Sequence, residues 1–239
     1  MTQDERREEL RTHLEEVHRR IDRARVAAGR TDSVELVVVT KTFPASDVDL
    51  LAELGVRDVG ENRDQEAKAK RAEVTAQGLR WHMIGRMQRN KAASVARWAD
   101  IVESVDREAL VQPLADAAAR SGRQSAVAVL IQVSLDPPDA VNRGGVDPAD
   151  VLTIARAITA RSELRLDGVM AVAPHPDTGV DPLAAFQELA RVSATLREYA
   201  PQATTISAGM SEDLEQAVAC GATQVRIGGA ILGHRPPVQ

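Results

Sequence analysis

Hydrophobic and polar positions change period along the chain, and the changes mark out a repeating series of elements. Residues 5–28 place Leu10, Leu14, Val17 and Ile21 at steps of four and three, which predicts an amphipathic helix with one apolar stripe. Its many charges read as a solvated face. LVVVT (36–40) is a continuous β-branched run, the signature of a strand buried on both faces of a parallel sheet. Pro44 and Ser46 then open a short helix carrying Val48, Leu51 and Leu54, closed by Gly55. Strand VRDVG (56–60) leads into helical RDQEAKAKRAEV, and strand LRWHMIG (79–85) into helix KAASVARW (91–98). Strand DIVESV (100–105) precedes a helix capped by Asp106 and reaching Ala119, in which Pro113 predicts a kink or a shortening. AVAVLIQVSL (126–135) is the longest strand, and Asp147 with Pro148 starts a helix that turns Val151, Ile154, Ala155 and Ile158 inward. RLDGVMAV (165–172) is the sixth strand, and Asp181 with Pro182 repeats the start signal for a helix through Tyr199. TTISA (204–208) and TQVRIG (223–228) are the last strands, flanking helix SEDLEQAVAC with Ser211 at its N-cap and Gly221 at its end.

Eight strands, each followed by a helical segment after one leading helix, predict an α/β protein: a single (β/α)8 TIM barrel over residues 1–239 with an additional N-terminal helix. The alternative, an open doubly wound sheet, lacks a G-x-G-x-x-G after the first strand. Composition adds exclusions. A chain of 239 residues that is 44% hydrophobic can bury a sizeable core. Thirty Lys and Arg against 35 Asp and Glu give a net charge of −5, which argues against a general nucleic-acid binder, and 2% aromatics argue against a stacking platform for single strands. The one cysteine, Cys220, excludes an internal disulfide framework and a multi-cysteine zinc site. No apolar run approaches the roughly 20 residues that span a bilayer. The charged N-terminus is no secretory signal, so a cytoplasmic location is expected.

In such a barrel, residues just past each strand converge on one mouth. They are Lys41, Glu61, Asn62, Arg86 after His82, Ser104, Asp106, Asn142, Arg143, Pro174, His175, Ser207, Gly209, Met210, Ser211, Arg226, Gly228 and Gly229. Lys41 follows a buried strand, and alternation aims it into the barrel. A free lysine is neutral about once in 2,500 molecules at pH 7. Burial lowers that barrier and makes the amine a Schiff-base nucleophile. On position alone, a strand-end lysine paired with a carboxylate is an equal reading. ISAGMSEDLEQAV (206–218) and VRIGGAILG (225–233) place glycines after the seventh and eighth strands, where barrels commonly seat a phosphate. Glu212 and Asp213 would repel one, so the amides must aim past them. An aldehyde-capturing lysine plus a phosphate cup matches pyridoxal 5′-phosphate (PLP). Arg226 could point at its pyridine nitrogen; an arginine, which never gives up its proton, keeps that nitrogen unprotonated and weakens the ring as an electron sink.

These residues stand within VVVTKTFP (37–44), GENRDQEAKAK (60–70), WHMIGRMQRNK (81–91), ESVDR (103–107), DGVMAVAP (167–174), ISAGMSEDLE (206–215) and VRIGGAILG (225–233). Over nearly its whole length the chain resembles the pyridoxal phosphate homeostasis proteins, the YggS-like group. The resemblance implies a barrel similar to the N-terminal domain of alanine racemase, with PLP on Lys41. It also implies phosphate contacts around Ser207, Met210, Ser211, Gly228 and Gly229, Arg226 at the pyridine nitrogen, and Asn62 beside the ring. It further implies a monomer that buffers or delivers PLP without established turnover, with PLP-dependent apoenzymes as partners. Four features depart from the family pattern. Gly229 stands in place of a threonine, Ala208 in place of a methionine, and Arg86 and Arg89 in place of His and Ser. Arg143 occupies a loop where some members carry a lysine proposed as a second PLP site, so that site is not carried over.

Other readings keep the same residues. A PLP-dependent racemase or lyase would take its base from His82, His175 or water, although His82, on a strand, reads more simply as a packed, hydrogen-bonded histidine. Racemases of this type borrow a second acid or base from another domain or subunit, and the chain ends at Gln239 soon after its last strand, so no such domain is expected. An aldolase would use Lys41 on a sugar phosphate without cofactor. A scaffold would bind partners through the N-terminal helix.

Overall fold

The structure is a computed structural model that describes residues 2–137 and 144–233. Asn142 and Arg143, expected at the mouth, lie outside the described residues. Eight parallel strands close into a barrel in chain order: β1 (Glu35–Val39), β2 (Asp58–Glu61), β3 (Arg80–Met83), β4 (Ile101–Val105), β5 (Val127–Gln132), β6 (Leu164–Met170), β7 (Thr205–Ser207) and β8 (Gln224–Ile227). The closing pair is β1 with β8, in register Val37↔Arg226 and Val38↔Ile227. The helices are α1 (Gln3–Ala27), α2 (Ala45–Glu53), α3 (Asp64–Glu73), α4 (Ala92–Trp98), α5 (Val111–Arg120), α6 (Val151–Thr159), α7 (Pro182–Tyr199), α8 (Leu214–Ala219) and α9 (Gly229–Leu232). The predicted barrel and leading helix are both present.

Two local expectations are corrected and one is narrowed. Asp106 does not cap a helix: a short 3-10 turn over Glu108–Leu110 intervenes, and the Asp106 carboxylate instead takes Arg107 and, at 3.4 Å, Arg86. Pro113 does not kink α5, because it falls in the first turn, where an N–H has no intrahelical acceptor to lose; the helix is the shorter one expected, beginning only at Val111. Ser211 is not an N-cap; α8 begins three residues later behind Asp213, whose carboxylate accepts the Met210 N–H at 2.6 Å.

The outward faces of the strands carry Val38, Val59, Trp81 and Val102, all buried under the helices. Each fully buried side chain of this kind contributes about 1.5–3 kcal/mol. Helix α1 turns Leu10, Leu14, Val17, Ile21 and Ala24 into that layer and starts on a Thr2–Glu5 capping box. Its charges are not all solvated. Arg11 with Glu8 and Glu15 is exposed, but Arg6 binds Asp47 of α2 and the Leu232 carbonyl, His13 Nδ1 donates to the Ile231 carbonyl, and Arg20 holds Glu215 and the Ser211 carbonyl. The leading helix therefore braces α2, α8 and α9, and removing residues 1–28 would strip the core rather than test a detachable scaffold.

Candidate functional site

Strand β1 ends one residue earlier than the pattern suggests, and Lys41 is half-buried in the turn that follows it. The backbone on either side of it is fixed. Lys70 of α3, itself buried, donates to the Thr40 carbonyl at 2.7 Å, to Glu61 at 2.6 Å and to Glu66 at 3.1 Å. Thr40 Oγ1 also donates to Glu61 at 2.6 Å, and the Thr42 N–H donates to Glu66. Thr42 has φ 71°, a left-handed conformation that costs a β-branched residue of order 1–3 kcal/mol and persists only where its surroundings enforce it. Burial holds the Glu61 carboxyl above its ordinary range despite Lys70, and its second oxygen has no hydrogen-bond partner among the described residues.

The barrel interior differs from the branched aliphatic filling typical of such folds. Inward-facing Asp58, His82, Glu103, Ser207, Gln224 and Arg226 are all buried and joined in one chain. His82 donates from Nε2 to Asp58 at 2.9 Å and from Nδ1 to Glu103 at 2.6 Å. Glu103 accepts from Ser207 at 2.6 Å and Gln224 at 2.9 Å. Arg226 donates to Ser207 Oγ at 2.6 Å and to the Ala171 carbonyl at 2.8 Å, with Glu103 3.8 Å away. His82 is thus the packed, hydrogen-bonded residue its strand position suggested.

Burial alone would pull the His82 pKa down, but Asp58 and Glu103 together outweigh it and push it up to about 8. Burial likewise works to raise Glu103 and Asp58, yet the contacts from His82 hold both below the ordinary carboxylate range. Burial lowers Arg226, against Glu103 and Asp213. The linkage has a definite sign. A His raised in the folded state stabilises fully below its unfolded value near 6.5 and loses that contribution as pH rises through about 8. The expected loss is about 2 kcal/mol between pH 6.5 and 9, read from urea midpoints, and His82→Gln removes most of that slope.

The β7 and β8 ends supply the rest of the mouth. The Ser207 hydroxyl donates to Glu103 and accepts from Gln224 and Arg226, which uses its full capacity, so it acts by holding Arg226. The Met210 N–H is taken by Asp213, which spends that carboxylate on the loop. Ser211 is half-buried, and Gly228 and Gly229 begin α9, whose first amides have no intrahelical acceptor. A Cβ on Gly228 would stand 3.0 Å from the Val39 carbonyl oxygen, while one on Gly229 meets nothing within 4 Å among the described residues. Asn62 is exposed just past β2. Its carbonyl oxygen lies 2.0 Å from where a Gly85 Cβ would be, so the loops after β2 and β3 meet only because Gly85 has no side chain. Gly85→Ala is expected to cost about 1–3 kcal/mol and displace Asn62, measurable as a lowered urea midpoint.

A rim lysine after the first strand, a buried arginine on the last strand and a glycine pair beside it define a class: single barrels of the alanine racemase N-terminal type. The family model of the alanine racemase N-terminal domain matches residues 12–236. The pyridoxal phosphate homeostasis protein of Mycobacterium tuberculosis (strain H37Rv) is 42% identical, over 97% of this chain and 95% of that protein. Among solved structures, an unknown protein from Bifidobacterium adolescentis superposes with a TM-score of 0.87 at 30% identity, covering 97% of each chain. PipY of Synechococcus elongatus PCC7942 with PLP bound gives 0.80 at 33% identity, covering 94% of this chain and all (100%) of that one. The chain belongs to the pyridoxal phosphate homeostasis protein family.

Proposed function

We propose that the chain holds PLP on Lys41 and serves PLP homeostasis as a carrier or buffer, as the names of its relatives and the PLP-bound PipY structure support. One observation carries the reading. The parallel pairing of β1 with β8 sets Val37 opposite Arg226 and backs Gly228 against Val39, so the turn carrying Lys41 leaves the sheet next to the Gly228–Gly229 pair. The residue types fit the cofactor: the Lys41 amine, the buried Arg226 guanidinium and the Gly228–Gly229 backbone come from the neighbouring strands β1 and β8 and the turns that follow them. Lys41 would supply the amine. Arg226, fixed by Ser207 and the Ala171 carbonyl, would donate to the ring nitrogen and keep it unprotonated. Ser211 and the amides of Gly228 and Gly229 would receive the phosphate beside the Met210 turn, and Asn62 would lie beside the ring. PLP, when bound, supplies an aldehyde for a primary amine and an electron-withdrawing ring.

A carrier agrees with what surrounds these groups. His82 has both ring nitrogens engaged by carboxylates and cannot serve as a base at the mouth. His175 is exposed, beside Asp177. Among the described residues no helix is long and apolar enough to cross a membrane. In this reading the protein works as a cytoplasmic monomer that hands PLP to apoenzymes, and transfer faster than free release is the expected kinetic sign.

The test is the absorption spectrum of the purified protein, followed by borohydride reduction and peptide mass spectrometry. A pyridoxyl group on Lys41 is the expected result; a colourless protein with no such adduct after saturation rejects the reading. A sugar-phosphate adduct would instead mark an aldolase, and rapid α-proton exchange of amino acids in deuterated water would mark an enzyme. Gly229→Thr, which the open space accommodates, is expected to restore a hydroxyl to the phosphate cradle and tighten PLP about tenfold by equilibrium dialysis.

A further inference from the structure

The buried Asp58–His82–Glu103 group is an ionisable centre that the carrier reading leaves unused. We infer that Glu103 and His82 are positioning residues for Arg226, so that the charge on His82 sets how firmly the mouth holds PLP. This rests on the reading that Arg226 meets the PLP ring nitrogen.

The geometry is continuous. Arg226 is held by Ser207, Ser207 by Glu103, and Glu103 by His82, while Gln224 ties Glu103 and Ser207 together at 2.9 Å each. A ring with a carboxylate on each nitrogen satisfies both only as the imidazolium, which has two N–H donors. The charged groups facing it come from every side. Asp58 approaches from β2, Glu103 from β4, and Arg80 of its own strand through Asp58 at 2.6 Å. Across the barrel stands Arg226 of β8, next to neutral Gln224 and Ser207 and itself under the field of Asp213. Asp58 and Glu103 are thus shared among Arg80, His82 and Arg226.

Loss of the His82 proton would leave a ring nitrogen lone pair against a carboxylate. Glu103, released from the imidazolium, would then draw in the guanidinium already 3.8 Å away, and Arg226 would leave the ring nitrogen. The proton need not pass the mouth. His82, Asp58, Arg80 and Gln224 line a cavity of about 660 Å³ at the opposite end of the barrel, where the strands begin. A pKa near 8 puts the change close to neutrality.

The test compares PLP affinity of wild type and His82→Gln at pH 7 and pH 9, alongside ¹⁵N resonance of the His82 ring in apo and PLP-loaded protein. The ratio of the two affinities cancels the titration of PLP itself. Expected is about tenfold weaker binding by the variant at pH 7, shrinking to parity at pH 9. By reciprocity, PLP should move the His82 midpoint upward. A ratio independent of pH, or a His82 midpoint unmoved by PLP, overturns the inference. A purely structural role would weaken the variant equally at both pH values. Should His82→Gln fail to fold, the wild-type resonance titration decides alone. Wild type that forms no Lys41 adduct at any pH overturns the carrier reading and this inference together; an adduct with an unresponsive His82 overturns only the latter.

Discussion

Lys70→Met is expected to lower stability by about 3–5 kcal/mol, the cost of removing one partner from a buried ion pair. Glu61 is fully buried, and Lys70 provides it with a 2.6 Å contact and the balancing charge. Without that amine, Glu61 has only Thr40 Oγ1 among the described residues, and its carboxyl, already raised by burial, rises further. A carboxyl raised in the folded state binds its proton more tightly there, so the variant should regain stability as pH falls toward 5. Urea denaturation at pH 5 and pH 8 measures this. Adding Glu61→Gln should restore part of the loss at pH 8, since the uncompensated charge is then gone. A small, pH-independent effect would show that the lysine matters only for packing. Because Lys70 also grips the Thr40 carbonyl, the surviving folded fraction should capture PLP more slowly.

Lys41→Ala is expected to purify colourless and to yield no borohydride-fixed adduct, while keeping wild-type circular dichroism. The fold survives because the turn is clamped through the backbone of Thr40 and Thr42, which the substitution leaves in place. Lys41→Arg should be equally colourless: it keeps the positive charge but cannot shed a proton to become a nucleophile. The pair separates a chemical role from an electrostatic one. Colour in Lys41→Arg would place the covalent bond on another amine.

LVVVT was legible because a buried β-branched run has no polar face to confuse its period, and TQVRIG because Val225 and Ile227 alternate with Gln224 and Arg226; both came within a residue of β1 and β8. AVAVLIQVSL overran because Val133 makes only an isolated bridge with Val146, after which the chain leaves the sheet. Lys41, Asn62, Gly228 and Gly229 were singled out by position past a strand, Arg226 by its place on the last strand, and all five by the family resemblance. The interior chain did not. Asp58, His82 and Glu103 each sit at an inward position, but Glu103 meets Ser207 and Gln224, 104 and 121 residues away, and only barrel closure makes them neighbours. Lys70 was hidden for a related reason: in EAKAK it reads as an exposed helix charge, and nothing local reveals that α3 tucks it under the β1 turn. Ser211 and Asp106 looked like caps because short polar residues favour both caps and turns, and tertiary partners chose the turn.

The hold that α1 keeps on the far end of the chain has a consequence for how the protein is born. Arg6 reaches the Leu232 carbonyl 226 residues away and His13 the Ile231 carbonyl 218 away, while β1 finds its second neighbour only in β8. A nascent chain therefore carries its first helix and first strand only partly matched, by α2 and β2, until β8 and α9 have been translated. Vectorial synthesis cannot complete the mouth before β8 and α9 emerge, and chaperone engagement should centre on the apolar stripe of Leu10, Leu14, Val17 and Ile21 until closure.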